Sequence, residues 1–102
     1  MDKKTVIGLV RQYAGLVRQS FSVKKIVLFG SYAKETAKEH SDIDVAVIVD
    51  VIDNILSSQA KLFRLRRDID ARIEPVLIEE KNDKSGFLEE ILKTGQVVYS
   101  SD

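Results

Sequence analysis

Cysteine is absent from the 102 residues, which removes disulfides, thiolate metal sites and a cysteine nucleophile at once and fits a reducing compartment. No excess of one charge exists either. Sixteen Lys and Arg offset sixteen Asp and Glu, so no net field draws the chain to nucleic acid or to an anionic membrane, and any such binding has to come from a local patch or through a partner. No apolar run approaches the ~20 residues that a membrane span requires. Lys3 and Lys4 are followed by a short apolar stretch that soon meets Arg11 and Gln12, a pattern unlike a secretion signal. The expectation is a cytoplasmic protein. There is one histidine, His40, in a polar stretch, and it reads as a loop residue without catalytic duty. Proline occurs once, at Pro75. With no N–H to give to a ladder, Pro75 marks its strand as an edge or irregular one.

What is present is ordinary for a globular fold: 44% hydrophobic and 31% charged residues, enough for one modest core. The length predicts a single domain over residues 1–102. Val6, Leu9, Val10, Tyr13, Leu16 and Val17 recur at steps of three and four, predicting an amphipathic helix from Asp2 to Ser20. Lys25–Phe29 is a short apolar run stopped by Gly30, a buried strand followed by a helical turn that Ser31 caps. The nearly continuous apolar run Ile43–Val49 predicts a strand covered on both faces. A second helical pattern runs through Ile52, Ile55, Leu56, Leu62, Phe63 and Ile69, starting near Asp53 or Asn54. Ile73–Ile78 reads as a third strand, Glu79 to Lys84 as a polar turn, and Gly86–Thr94 as a helix with Phe87, Leu88, Ile91 and Leu92 inward. Gly95 is its expected C′ stop, and Val97–Tyr99 a last short strand. The fold class expected is α+β: a mixed β-sheet with helices packed against it.

The chemistry concentrates in Gly30-Ser31 and, ten residues on, Ser41-Asp42-Ile43-Asp44. A glycine between strand and turn lets the backbone approach a ligand closely, and the first N–H groups of a helical turn are anion donors. Ser31 adds a hydroxyl, so the turn reads as a phosphate cradle. On an extended backbone, Asp42 and Asp44 leave one face while Ile43 leaves the other. Two carboxylates beside a buried strand repel unless a cation or donors compensate. Hard divalent ions such as Mg²⁺ are held by one or two carboxylates plus substrate phosphates. Either half of the pattern alone is common in turns and strand entries; the two at the correct strand boundaries are far more specific. Asp68 and Asp70 repeat the Asp-x-Asp spacing at a helix end with no Gly-Ser upstream and read as decoys. Lys61, Arg64 and Arg67 form a basic helix face best read as solvated.

Gly30-Ser31-x-Ala33 with Ser41-Asp42-Ile43-Asp44 and a hydrophobic strand resembles the signature of the DNA polymerase β-type nucleotidyltransferase superfamily, in particular its minimal nucleotidyltransferase branch. The resemblance implies a polymerase β-like core and a nucleotide site that includes Gly30, Ser31 and Ser41. It implies Mg²⁺ or Mn²⁺ held by Asp42, Asp44 and a third acid on a neighbouring strand, Glu74 by position, with the same three residues catalytic. One departure stands out, because Lys34-Glu35 occupies the place where the pattern has Arg-Gly.

The implied activity is transfer of a nucleoside monophosphate, AMP from ATP, to an acceptor with release of pyrophosphate. So short a chain leaves the acceptor to another polypeptide, and for this branch the resemblance implies a HEPN-domain partner in a toxin–antitoxin pair. Nucleic acid would be met only through that partner, and a homo-oligomer is compatible with the sequence. The rival expectation is a binding module that neutralises its partner by contact alone, with Glu35 the feature favouring it.

Overall fold

The computed structural model describes residues 1–83 and 85–102, so Lys84, the last residue of the expected polar turn, lies outside the described residues. Helix α1 spans Lys3–Ser20, with Asp2 as its N-cap accepting from the Thr5 N–H at 2.8 Å. Strand β1 (Val23–Phe29) leads through a turn and a loop to β2 (Ile43–Val49). Helix α2 (Ile55–Leu65) is capped by Asn54, continues into a 3₁₀ turn at Arg66–Asp68, and is followed by β3 (Ile73–Glu79). A 3₁₀ turn at Glu80–Asn82 precedes α3 (Phe87–Thr94), and β4 (Gln96–Ser100) closes the order. None of these helices is long and apolar enough to cross a membrane.

The sheet order is β3-β2-β1-β4. β1 runs antiparallel to β2 and β4, whereas β2 and β3 are parallel. The sheet is therefore mixed and the fold α+β. β2 lies inside the sheet with its side chains from Val45 to Val49 buried on both faces, which is why its sequence does not alternate. On one face α1 and α2 cover Ile26, Leu28, Ile43, Val45, Val47 and Ile73. The buried Tyr13 hydroxyl donates to the Leu62 carbonyl at 2.7 Å and ties the two helices together. Burial drives the phenol far above its usual pKa, so it stays a donor. On the other face the short α3 covers only part of the sheet, packing Ile91 over Val27, Ala46, Ile48 and Ile78.

Pro75 sits on an edge strand. Its missing N–H costs nothing in the ladder, and the outer edge is closed by α2: the Gln59 side chain donates to the Pro75 carbonyl at 2.7 Å and accepts from the Leu77 N–H at 3.3 Å. Such cover removes an edge that another strand could join.

Three sequence expectations change. Gly95 ends α3 with φ −87°, not in the left-handed C′ conformation. Glycine is needed there for space, since a Cβ would come within 2.5 Å of the Ile91 carbonyl and 2.7 Å of Val27 Cγ1. Phe87 and Leu92 do not point fully inward; both are 40% exposed, because eight residues of helix lie over a sheet face too wide for them. Ile55 and Leu56, read as core positions of α2, are 59% and 81% exposed, since the helix starts beyond the end of the sheet.

Candidate active site

The turn after β1 begins at Gly30, whose φ of +74° belongs to the left-handed region. Its carbonyl accepts from Lys34 N–H at 3.1 Å and that of Ser31 from Thr36 N–H at 2.9 Å. One helical turn forms and stops at Glu35, which is itself left-handed at φ +59°. A turn of this kind leaves its leading N–H groups free; among the described residues, those of Ser31, Tyr32 and Ala33 have no backbone acceptor.

Asp44 faces this turn. A side chain on Gly30 would come within 3.1 Å of Asp44 Cγ and closer still to Oδ2, so strand end and carboxylate are packed together. In the parallel pair Asp44 is the register partner of Glu74, and partners of that kind project to one face. Asp42, two residues earlier and exposed, joins them. Asp44 is held above the usual carboxylate pKa by partial burial and then by the negative charges of Asp42 and Glu74. This mutual repulsion places the three acids in one electrostatic neighbourhood.

They are not yet a closed metal cage. Among the described residues no three acidic or histidine side chains stand close enough to hold an ion as they are. Glu74 Oε1 instead lies 3.6 Å from the Arg66 guanidinium, which also donates to the Ile73 carbonyl at 2.8 Å. Sequence reasoning missed Arg66. It was visible only as part of a basic helix end, and its placement depends on where the 3₁₀ turn directs it over β3. Arg72, a natural partner for Glu74 by sequence proximity, pairs with Asp70 at 2.8 Å. Ser41 Oγ accepts from the Lys38 N–H at 2.7 Å and so closes the loop before Asp42, leaving its own O–H free to donate.

An aromatic pair borders the acids. Phe29 is the register partner of Asp44 across β1 and β2, and it meets Phe87 edge-on with centroids 5.7 Å apart. Tyr32, 3% exposed, carries a buried hydroxyl without a hydrogen-bond partner.

A donor-rich turn facing a pair of carboxylates at one end of a mixed sheet is the arrangement of a phosphoryl-group transferase. The chain belongs to the polymerase β nucleotidyltransferase family, whose model matches residues 12–102, and it is a nucleotidyltransferase. It is 33% identical over 99 residues to a Methanocaldococcus jannaschii chain assigned as a protein adenylyltransferase, covering 95% of this chain and 93% of that one. Protein adenylyltransferase MntA of Thermococcus cleftensis is 33% identical over 87 residues, 81% of this chain and 80% of the relative. In fold the chain is similar to a solved structure of the tri-AMPylated Shewanella oneidensis HEPN toxin in complex with its MNT antitoxin. The TM-score is 0.63 at 22% identity, over 93% of this chain and 73% of that one.

Proposed function

We propose that residues 1–102 act as one Mg²⁺-dependent adenylyltransferase domain that moves AMP from ATP to a hydroxyl side chain of a HEPN-domain partner in the cytoplasm, and so serves as an antitoxin. The observation that carries the reading is the acid group itself: Asp42, Asp44 and Glu74 share a face, and Asp44 is packed against the donor turn at Gly30. The donor chemistry fits a divalent ion. Neither Asp42 nor Asp44 has an ion-pair partner among the described residues, and their repulsion is what a cation would offset. Asp42 and Asp44 would hold Mg²⁺ or Mn²⁺, with Glu74 joining on release from Arg66. Bound there, the ion supplies charge neutralisation at the α-phosphate and at the leaving pyrophosphate.

The remaining work falls to the chain. Ser31 and the free N–H groups of its turn bind the β- and γ-phosphates, and Ser41 can donate beside them. This fixes the α-phosphorus opposite the acceptor, and such positioning can lower a barrier by ~7 to 11 kcal/mol. The acceptor oxygen attacks the α-phosphorus, the bond to pyrophosphate breaks, and the hydroxyl proton passes to the Glu74 carboxylate. Names of relatives and neighbours that pair adenylyltransferase, MNT antitoxin and HEPN toxin support the choice of AMP and of acceptor.

The reading is tested by incubating the chain with Mg²⁺, α-labelled ATP and a HEPN-domain protein that binds it. Label should appear on that protein and be lost with Asp44→Asn. The rival binding-module reading is favoured by the Glu74–Arg66 pair, which occupies the third acid, and by Glu35 in the turn. No label from wild type, with neutralisation intact in Asp44→Asn, would establish that rival.

A further inference from the structure

Beyond the acids, the same sheet face opens into a groove of about 530 Å³. Val76 and Ile78 form its floor, Ile52 and Ile55 one wall and Phe87 the other. The segment that makes the first wall leaves Val51, Ile55 and Leu56 69%, 59% and 81% exposed. Three large aliphatic side chains so exposed within six positions form an unpartnered apolar surface of the kind that marks interaction sites. The rim is acidic: Asp53, Glu79 and Asp83 line it, and Asp50 stands at the end of β2 with Lys81 as its ion-pair partner.

We infer that this groove is the docking surface for the acceptor protein, and that its occupant is an amphipathic helix with aliphatic anchors flanked by Lys or Arg. Three observations select that occupant. The acidic rim requires positive flanks. An added β-strand is ruled out, because β3 offers no free edge where Pro75 lacks an N–H and Gln59 already bonds the Pro75 carbonyl and the Leu77 N–H. That leaves the helix-in-groove mode, in which anchors at i, i+3 and i+4 fill an apolar cleft.

The third observation is continuity. Glu74, Val76 and Ile78 alternate along one face of β3, so the groove floor starts roughly 7 Å from Glu74 at ~3.3 Å per residue. A helix seated there presents its neighbouring hydroxyls to the acids. The inference rests on the transferase reading above and adds to it the surface that delivers the acceptor.

Binding and transfer separate the two claims. The probe is the same HEPN-domain protein, titrated calorimetrically without ATP and then assayed for label with it. Ile55 is the first residue of α2, where a glutamate is favoured by the helix dipole, so Ile55→Glu should fold normally and bind ATP as wild type does. It should weaken the complex about thirtyfold or more, as loss of an interface anchor does, and Asp53→Lys should weaken it with a shallower salt dependence. A dissociation constant within threefold of wild type for both variants would overturn the groove while leaving transfer intact. So would a wild-type chain that dimerises alone through the groove and becomes monomeric with Ile55→Glu. Wild-type binding lost in Ile55→Glu, without any label transferred, would sustain the groove and sink the transferase reading.

Discussion

Gly30 and Asp44 compete for one piece of space: a single methyl group on the glycine would run into the aspartate carboxylate. The glycine also sits at φ +74°, where an L side chain is strained. Gly30→Ala should therefore cost roughly 1–3 kcal/mol of stability and displace Asp44 from the donor turn. Urea unfolding gives the first number, and ATP titration reports the second as a loss of affinity. Wild-type values for both would show that the turn tolerates a side chain and that the close packing is incidental.

The acids should also reveal themselves through stability. Asp44 has its folded pKa raised by burial and by Asp42 and Glu74, so between the ordinary carboxylate pKa and the raised one the native state keeps a proton that the unfolded chain has lost. Stability then falls as pH rises through that window, and the deficit persists at neutral pH. In metal-free buffer Asp44→Asn should be more stable than wild type at pH 7, and the advantage should vanish in acid. Mg²⁺ should reverse the order, since at ~100 times its dissociation constant it would stabilise wild type by roughly 2.7 kcal/mol and leave Asp42→Asn/Asp44→Asn unmoved. An equal thermal shift in the double variant would remove the metal assignment.

Glu35 is the residue at which sequence and backbone disagree. Its φ of +59° is a left-handed conformation that costs an ordinary residue about 1–2 kcal/mol, offset by the ~0.5–1 kcal/mol that glycine loses in conformational entropy. Glu35→Gly should thus raise stability by up to about 1.5 kcal/mol. Removing a carboxylate from the turn should also tighten ATP binding, because its repulsion of the triphosphate goes with it. Unchanged melting together with unchanged ATP affinity would mean that neither strain nor charge at this position matters.

How much of this could be read from the chain alone follows from the range of the forces involved. Local signals were sufficient for β2, whose apolar run is interrupted only by Asp44 and ends at Asp50, and for the shared face of Asp42 and Asp44, which two-residue spacing dictates. The departure at Lys34-Glu35 was also visible, and the turn places Glu35 in a glycine-like conformation. Non-local geometry was not legible. That β3 runs parallel to β2, bringing Glu74 into register with Asp44, depends on α2 carrying the chain back across the sheet. Arg66 reaches Glu74 only because a 3₁₀ turn ends that helix. Ile55 and Leu56 fit a core period, yet hydrophobic spacing cannot tell a helix that begins over the sheet from one that begins beyond it.

Glu74 provides the sharpest separation of binding from chemistry. It is the proposed proton acceptor, but its carboxylate is paired with Arg66 and lies outside the donor turn that would grip ATP. Glu74→Gln keeps the shape and can still accept from Arg66, so the fold and the ATP affinity should hold within a few-fold. Transfer to the HEPN-domain protein should fall by roughly 10²- to 10⁴-fold, the range that general base catalysis contributes. Arg66→Met tests the other half of the pair. Without the guanidinium the Glu74 carboxylate is free to turn towards Asp42 and Asp44, so Arg66→Met should keep or raise transfer where Glu74→Gln lowers it. A Glu74→Gln protein that transfers label at the wild-type rate would exclude this acid from the reaction and leave Asp42 and Asp44 as the only carboxylates of the site.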